Sequence, residues 1–286
     1  MKRKLIALDM DGTVLDNNRE IPAENIKAIR EAQAAGHVVM ICSGRPHDSL
    51  LTFLASYGLA DLPISAANGS ITIIDGQIID RVTMNLAKVE QLVNWMDERE
   101  YPFNIFTDTE VRRHSEFLSR SQRELLANPE QAAAMAKRGL DYDGLVTYME
   151  RVAPNLFTTW ADFSADVGIV KIFAITPDQS KKVDLEEFAA TIGQLTITSS
   201  FPDNVEISDI NGHKGTGIVV VANHLGIPIE DTVAIGDNFN DLGMFEVAGL
   251  TIAMGNAEPE IIELCDVITF PNTEFGVAHA IREYVL

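Results

Sequence analysis

Apolar and polar positions alternate along this chain in blocks rather than residue by residue. Leu5 to Leu8 is an unbroken apolar run that stops at Asp9-Met10-Asp11-Gly12-Thr13. Continuous apolar character predicts a strand covered on both faces, as in a parallel sheet flanked by helices. An amphipathic helix follows Ile21-Pro22 and runs through Ala34 to a stop at Gly36. His37 to Cys42 is a second buried strand, ending in Ser43-Gly44-Arg45-Pro46, and a helix starts near His47. Pro63-Ile64-Ser65 predicts a short third strand, and the Asp75-Gly76 pair between apolar runs marks a hairpin over 71–79.

The pattern changes beyond Arg81. Between Thr83 and Ser208, helical stretches (Ala87 to Arg99, Pro129 to Lys137, Asp178 to Ile192) alternate with strand-like ones (Phe103 to Phe106, Val170 to Ile175, Leu195 to Ser199, Asn204 to Ile207). That mixture predicts an inserted α+β module over 83–208, with hinges at its two ends. Arg112-Arg113-His114 reads as a solvated loop, and Trp95 and Trp160 as core or interface side chains. The first pattern resumes near Asp209. A helix opens around Lys214, strands follow at Thr232 to Ile235, Leu250 to Ala253 and Val267-Ile268, and a helix over Glu274 to Tyr284 closes the core.

The chemistry stands where the strands end, because ligands of open parallel sheets bind outside the carboxyl ends of the strands. A right-handed strand–helix–strand crossover sets Ser43 beside Asp9. Asp9 and Asp11 repel one another unless a cation lies between them, which predicts a hard divalent ion, Mg²⁺, on oxygen ligands. Ser43 and Gly44 offer a hydroxyl and an open backbone N–H to an anion. Lys214 at a helix start opposes the helix dipole, so an anionic group shares its site. A second acidic strand end, Gly236-Asp237-Asn238-Phe239-Asn240-Asp241, holds more acids and amides than a helix cap requires.

Two competing readings of these clusters fail on spacing. An EF-hand-like calcium loop would place Glu20 twelfth from Asp9 but needs glycine where Val14 stands. A nucleotide P-loop needs Gly-Lys-Thr, whereas the order here is Lys214-Gly215-Thr216.

In the order Asp9-Met10-Asp11-Gly12-Thr13, Ser43-Gly44-Arg45, Lys214 and Gly236 to Asp241, the clusters resemble the four motifs of the haloacid dehalogenase-like phosphohydrolases. The insertion resembles the C2-type cap of the Cof subfamily, as do Asn68-Gly69 and the Asp75-Gly76 hairpin. The resemblance implies an α/β fold with a Rossmann-like parallel sheet core, residues 1–82 and 209–286, and a C2-type cap, residues 83–208. It implies Asp9 as nucleophile and Mg²⁺ ligand, and Asp11 as general acid/base with its carbonyl on the metal. Asp237 would complete the ligands, with Asp241 nearby orienting Lys214 or a metal-bound water. Ser43 and Lys214, with Gly12, Thr13, Gly44, Arg45 and Asn240, would hold the substrate, a small phosphate ester such as a sugar phosphate.

Composition bounds the partners. With 22 basic and 42 acidic residues, the formal charge of −20 opposes binding to nucleic acid or anionic membranes. No secretion signal or long apolar span is expected, and Cys42 and Cys265 read as reduced thiols of a cytoplasmic protein. Oligomeric state is not legible. Besides a phosphatase, a phosphomutase or phosphotransferase, a phosphorylated signalling switch and a non-catalytic sugar-phosphate-binding regulator use overlapping residues. A switch leaves Asp11 and the insertion unexplained.

Overall fold

The computed structural model describes residues 2–286 and divides into two compact units, residues 2–81 with 213–286, and residues 82–212. The first unit is built on an eight-stranded sheet whose spatial order is Val267–Ile268, Leu250–Ala253, Thr232–Gly236, Leu5–Asp9, Val38–Cys42, Ile64–Ala66, Ile71–Ile74 and Gln77–Arg81. The first six are parallel, and the last two turn back as the hairpin. Asp75 and Gly76 hold its turn with positive φ of 51° and 73°.

Leu5–Asp9 is buried along its whole length and sits between the two strands whose ends carry the other clusters. Register pairs Asp9 with Cys42 on one side and Leu8 with Ile235 on the other. Asp9, Ser43 and Asp237 therefore emerge at one edge of one sheet. Helices Ala23–Ala34 and Lys214–Leu225 bury apolar faces that include Ala28, Ile29, Ile218 and Val221. The last helix is Gly276–Tyr284, shorter than the expected start at Glu274, because Phe275 takes a left-handed φ of 59° that a helix does not admit.

The second unit carries a six-stranded sheet in the order Leu195–Thr198, Asn204–Asp209, Ile169–Ile175, Phe103–Thr107, Val111–His114 and Asn155–Phe157. Helices Leu86–Glu98 and Gln179–Ile192 contribute Val89, Leu92, Val93, Met96 and Leu185 to its apolar core. Trp95 stacks on Phe188 with centroids 4.4 Å apart, a packing role.

Arg112-Arg113-His114 is not a solvated loop. It lies in a strand, with His114 buried and Arg112 paired to Glu110 at 2.6 Å. Helices Phe117–Ala127 and Tyr142–Val152 were also not anticipated. The first turns Arg120, Ser121 and Glu124 inward between Phe117 and Leu125, so the apolar period of its buried face is interrupted. Arg120 Nη2 is paired there with Asp97 and Glu116, each at 2.6 Å.

Lys171 and Glu206 form a buried pair at 2.9 Å on neighbouring strands, with the ammonium 4.4 Å from the Phe106 ring centroid. Removing one partner strands the other charge away from water. Lys171→Met is expected to lower the free energy of unfolding by about 3–5 kcal/mol. Lys171→Met with Glu206→Leu should recover most of the loss, as read by urea denaturation. A silent single variant would show that water reaches the pair.

Candidate active site

Four side chains from three parts of the chain meet at the carboxyl edge of the parallel sheet. Lys214 is the first residue of its helix, and its Nζ donates to Asp9 Oδ1 at 2.5 Å and to Asp241 Oδ1 at 2.6 Å. Asp9, Asp241 and Lys214 are all buried. The lysine that a helix dipole disfavours is thus held by two carboxylates, which meets the expectation of an anionic neighbour.

Asp241 also shapes the turn that delivers Asp237. Its Oδ2 accepts from the backbone N–H of Asp237 at 2.9 Å and of Asn238 at 3.1 Å, closing a capping box around Phe239–Asp241. Asp237 in turn accepts a 2.8 Å hydrogen bond from the Thr13 hydroxyl and lies within hydrogen-bonding reach of Asp9. Gly12 is required here on two counts. Its φ is +94°, and a Cβ would stand 2.3 Å from Asp237 Oδ2.

Oxygen atoms of Asp9, Asp237 and Asp241 lie within 4.8 Å of one another. Three carboxylates against one ammonium leave two negative charges in excess. Burial and the charge of Asp241 push Asp9 well above the ordinary carboxylate range. The same two causes raise Asp237 to about 6. Lys214 is driven upward by Asp241 and Asp9 against the desolvation that opposes its charge. Hard oxygen donors with a net deficit of two charges suit a divalent cation such as Mg²⁺, and would bring the cluster to neutrality.

Asp11 lies outside this cluster. Its carboxylate is gripped in a fork by Arg45, Nε to Oδ2 at 3.0 Å and Nη2 to Oδ1 at 2.7 Å, and the guanidinium rests 5.1 Å from the Phe53 ring centroid. Arg45, expected on substrate, is therefore placed on the expected acid/base instead. Thr13, also expected on substrate, is buried and serves Asp237. Ser43 is buried too, and its Oγ accepts from Arg45 N–H at 3.2 Å, which leaves the hydroxyl proton to donate. Gly44 and Asn240 are half-buried in the turns after their strands.

Sequence reasoning assigned no chemistry to Asn25, Asn256 and Asn272, whose side chains bond to the backbone of residues 12–15. Asn256 follows a strand end, the one signal that could have singled it out.

The chain matches the family model of haloacid dehalogenase-like hydrolases over residues 6–281, and it belongs to that family. It is 29% identical to the phosphatase YwpJ of Bacillus subtilis, over 98% of this chain and 99% of that protein. It is 31% identical to the 5-amino-6-(5-phospho-D-ribitylamino)uracil phosphatase YwtE of the same organism, over 98% of this chain and 97% of that one. A solved haloacid dehalogenase-like hydrolase from B. subtilis superposes with a TM-score of 0.85 at 27% identity, over 99% of this chain and all of the other. The protein is a hydrolase of this family.

The raised Asp237 fixes the sign of a pH effect. A carboxyl that titrates near 6 when folded and at 3.8 when unfolded binds more protons in the folded state, so its contribution to stability is lost as pH rises between those values. In chelator, the melting temperature of Asp237→Asn minus that of the wild type should grow from pH 4 to pH 6. A constant difference would show that Asp237 is not raised.

Proposed function

We propose that this enzyme hydrolyses small phosphate monoesters through an aspartyl-phosphate on Asp9, in the cytoplasm, to which the free thiols Cys42 and Cys265 are suited. The observation that carries the reading is the buried group of Asp9, Lys214 and Asp241 with Asp237 beside it. It joins a carboxylate nucleophile, a cation for the transferring oxygens and a charge deficit fit for a divalent ion. Asp9, Asp237 and the Asp11 carbonyl would hold Mg²⁺, which when bound neutralises phosphoryl oxygens and the attacking carboxylate.

Lys214 fixes one oxygen of Asp9 and leaves the other to attack phosphorus. The P–O bond to the leaving alcohol breaks in line with that attack, and Asp11 gives the departing oxygen its proton. Asp11, now a carboxylate, takes a proton from water as the water oxygen attacks phosphorus, and the acyl-phosphate bond breaks to return Asp9 and inorganic phosphate. Two displacements replace one direct hydrolysis. Lys214 and the Ser43 hydroxyl supply preorganised donors to the charge that develops on the transferring group.

Asp11 must leave the Arg45 fork to reach a leaving group. The guanidinium can then turn to the anionic ester, which reconciles its observed place with a substrate-binding role. Asp241 has three protein donors on its two oxygens, so it acts by positioning Lys214 and the Asp237 turn. The favoured substrates are phosphates of sugars and polyols. A relative that acts on a 5-phospho-D-ribityl compound supports this class.

The test is phosphate release from a panel of sugar phosphates, nucleotides, flavin mononucleotide and pyridoxal phosphate with water as the sole acceptor. Asp9→Asn should reduce release to background for every ester, and EDTA should abolish it until Mg²⁺ is restored. Release unchanged in either case refutes the mechanism.

A further inference from the structure

We infer that three asparagine side chains clamp the loop that carries Asp11, and that Asn256 is a positioning residue for the proton-transfer step. The inference rests on the phosphatase reading above. The loop Met10–Val14 is closed by the Leu15 N–H on the Met10 carbonyl at 3.0 Å, but its middle is irregular. Asp11, at φ −82° and ψ 109°, and Gly12, at φ 94° and ψ −8°, depart from helical geometry. Backbone carbonyls in such a segment need partners from elsewhere.

Carboxamides supply them. Asn256 Nδ2 donates to the Gly12 carbonyl at 2.9 Å, Asn25 Nδ2 to that of Val14 at 3.1 Å, and Asn272 Nδ2 to that of Leu15 at 2.8 Å. Two of these amides also accept at their other end. Asn256 Oδ1 takes the Asn272 N–H at 2.8 Å, and Asn25 Oδ1 takes the Ala278 N–H at 3.2 Å. The Ala23–Ala34 helix, the turn after Leu250–Ala253 and the segment before the last helix are thereby tied to one loop.

The residue type follows from this double duty. Aspartate has the same shape but cannot donate, so it would face a carbonyl oxygen with a carboxylate. It would also add negative charge beside a cluster already short of two positive ones. Serine donates but cannot span both partners. Gly12 is the crossing point: it follows Asp11 directly, a Cβ on it would strike Asp237, and its carbonyl is held by Asn256. Release of that carbonyl lets the Gly12–Thr13 peptide rotate, which shifts Gly12 and, through it, the neighbouring Asp11 carboxyl. Asn25 and Asn272 are buried, whereas Asn256 is exposed. Its removal therefore probes position with little effect on packing.

The full chain with Mg²⁺ is assayed as wild type, Asn256→Ala and Asn256→Asp on two esters. An alkoxide leaving from glycerol 2-phosphate needs a proton, whereas p-nitrophenolate leaves without one. Both variants should lose about 10- to 100-fold in kcat/KM on glycerol 2-phosphate and under about 3-fold on p-nitrophenyl phosphate, the signature of a displaced general acid. Hydrogen–deuterium exchange over residues 10–15 should accelerate, because the Leu15 N–H bonded to the Met10 carbonyl at 3.0 Å reports loop opening. Equal losses on both esters, or no loss, would overturn the positioning role. Unchanged exchange would overturn the clamp. A wild type that cleaves neither these esters nor any of the panel above would refute the phosphatase reading, and exchange alone would then decide whether the clamp holds the loop.

Discussion

The structure of the site depends on one ammonium group held between two carboxylates out of contact with water. Lys214 meets Asp9 and Asp241 within 2.6 Å, and none of the three has appreciable exposure. Burial of charge is unfavourable unless a partner is fixed in place, and here each partner is fixed by a different kind of backbone. Asp9 is held by a central strand, Lys214 by a helix start, and Asp241 by a turn whose N–H groups its second oxygen collects. A shift in any one element leaves an unpaired charge in the interior. That penalty makes the arrangement rigid before any ligand arrives.

The sheet order explains how such distant residues converge. The first strand lies between the second and the one at Thr232–Gly236, so three successive neighbours release their chemistry at one edge. Nothing in the second unit is needed to assemble these groups, since every bond described among them joins residues of the first. The long insertion between Arg81 and His213 is tolerated because it leaves from a hairpin strand at the sheet's far edge and returns at a helix start.

Legibility in the sequence followed the physics of each signal. Unbroken apolar runs such as Leu5 to Leu8 and Thr232 to Ile235 announce buried parallel strands, and the polar residues at their ends announce the site. Segments whose buried faces are charged gave no such signal: Phe117–Ala127 inserts Arg120 and Glu124, and Val111–His114 inserts His114, each answered by a partner far along the chain. The side-chain partners were equally hidden. Thr13 and Arg45 have the chemistry to hold phosphate, and only their placement shows them on Asp237 and Asp11. Asparagines near glycine and proline read as turn formers, so their grip on a loop more than two hundred residues away for Asn256 is visible only in three dimensions.

Imbalance of charge, rather than clustering of acids, distinguishes the site from other polar clusters. Asp97, His114 and Glu116 also bring ligand atoms within 4.8 Å of one another. There, however, the Arg120 guanidinium donates to both carboxylates, and the two acids are substantially open to solvent. His114 has both ring nitrogens engaged, Nδ1 by the Glu116 N–H and Nε2 at the Thr158 carbonyl. Lys171 and Glu206 are buried but match one to one. The first cluster keeps its one excess charge where water screens it, and the second has none. Asp9, Asp237 and Asp241 share a single lysine in a region that water does not screen, and the raised proton affinities of Asp9 and Asp237 express the missing positive charge. A structure that keeps such a deficit in its interior is incomplete without a ligand of opposite sign.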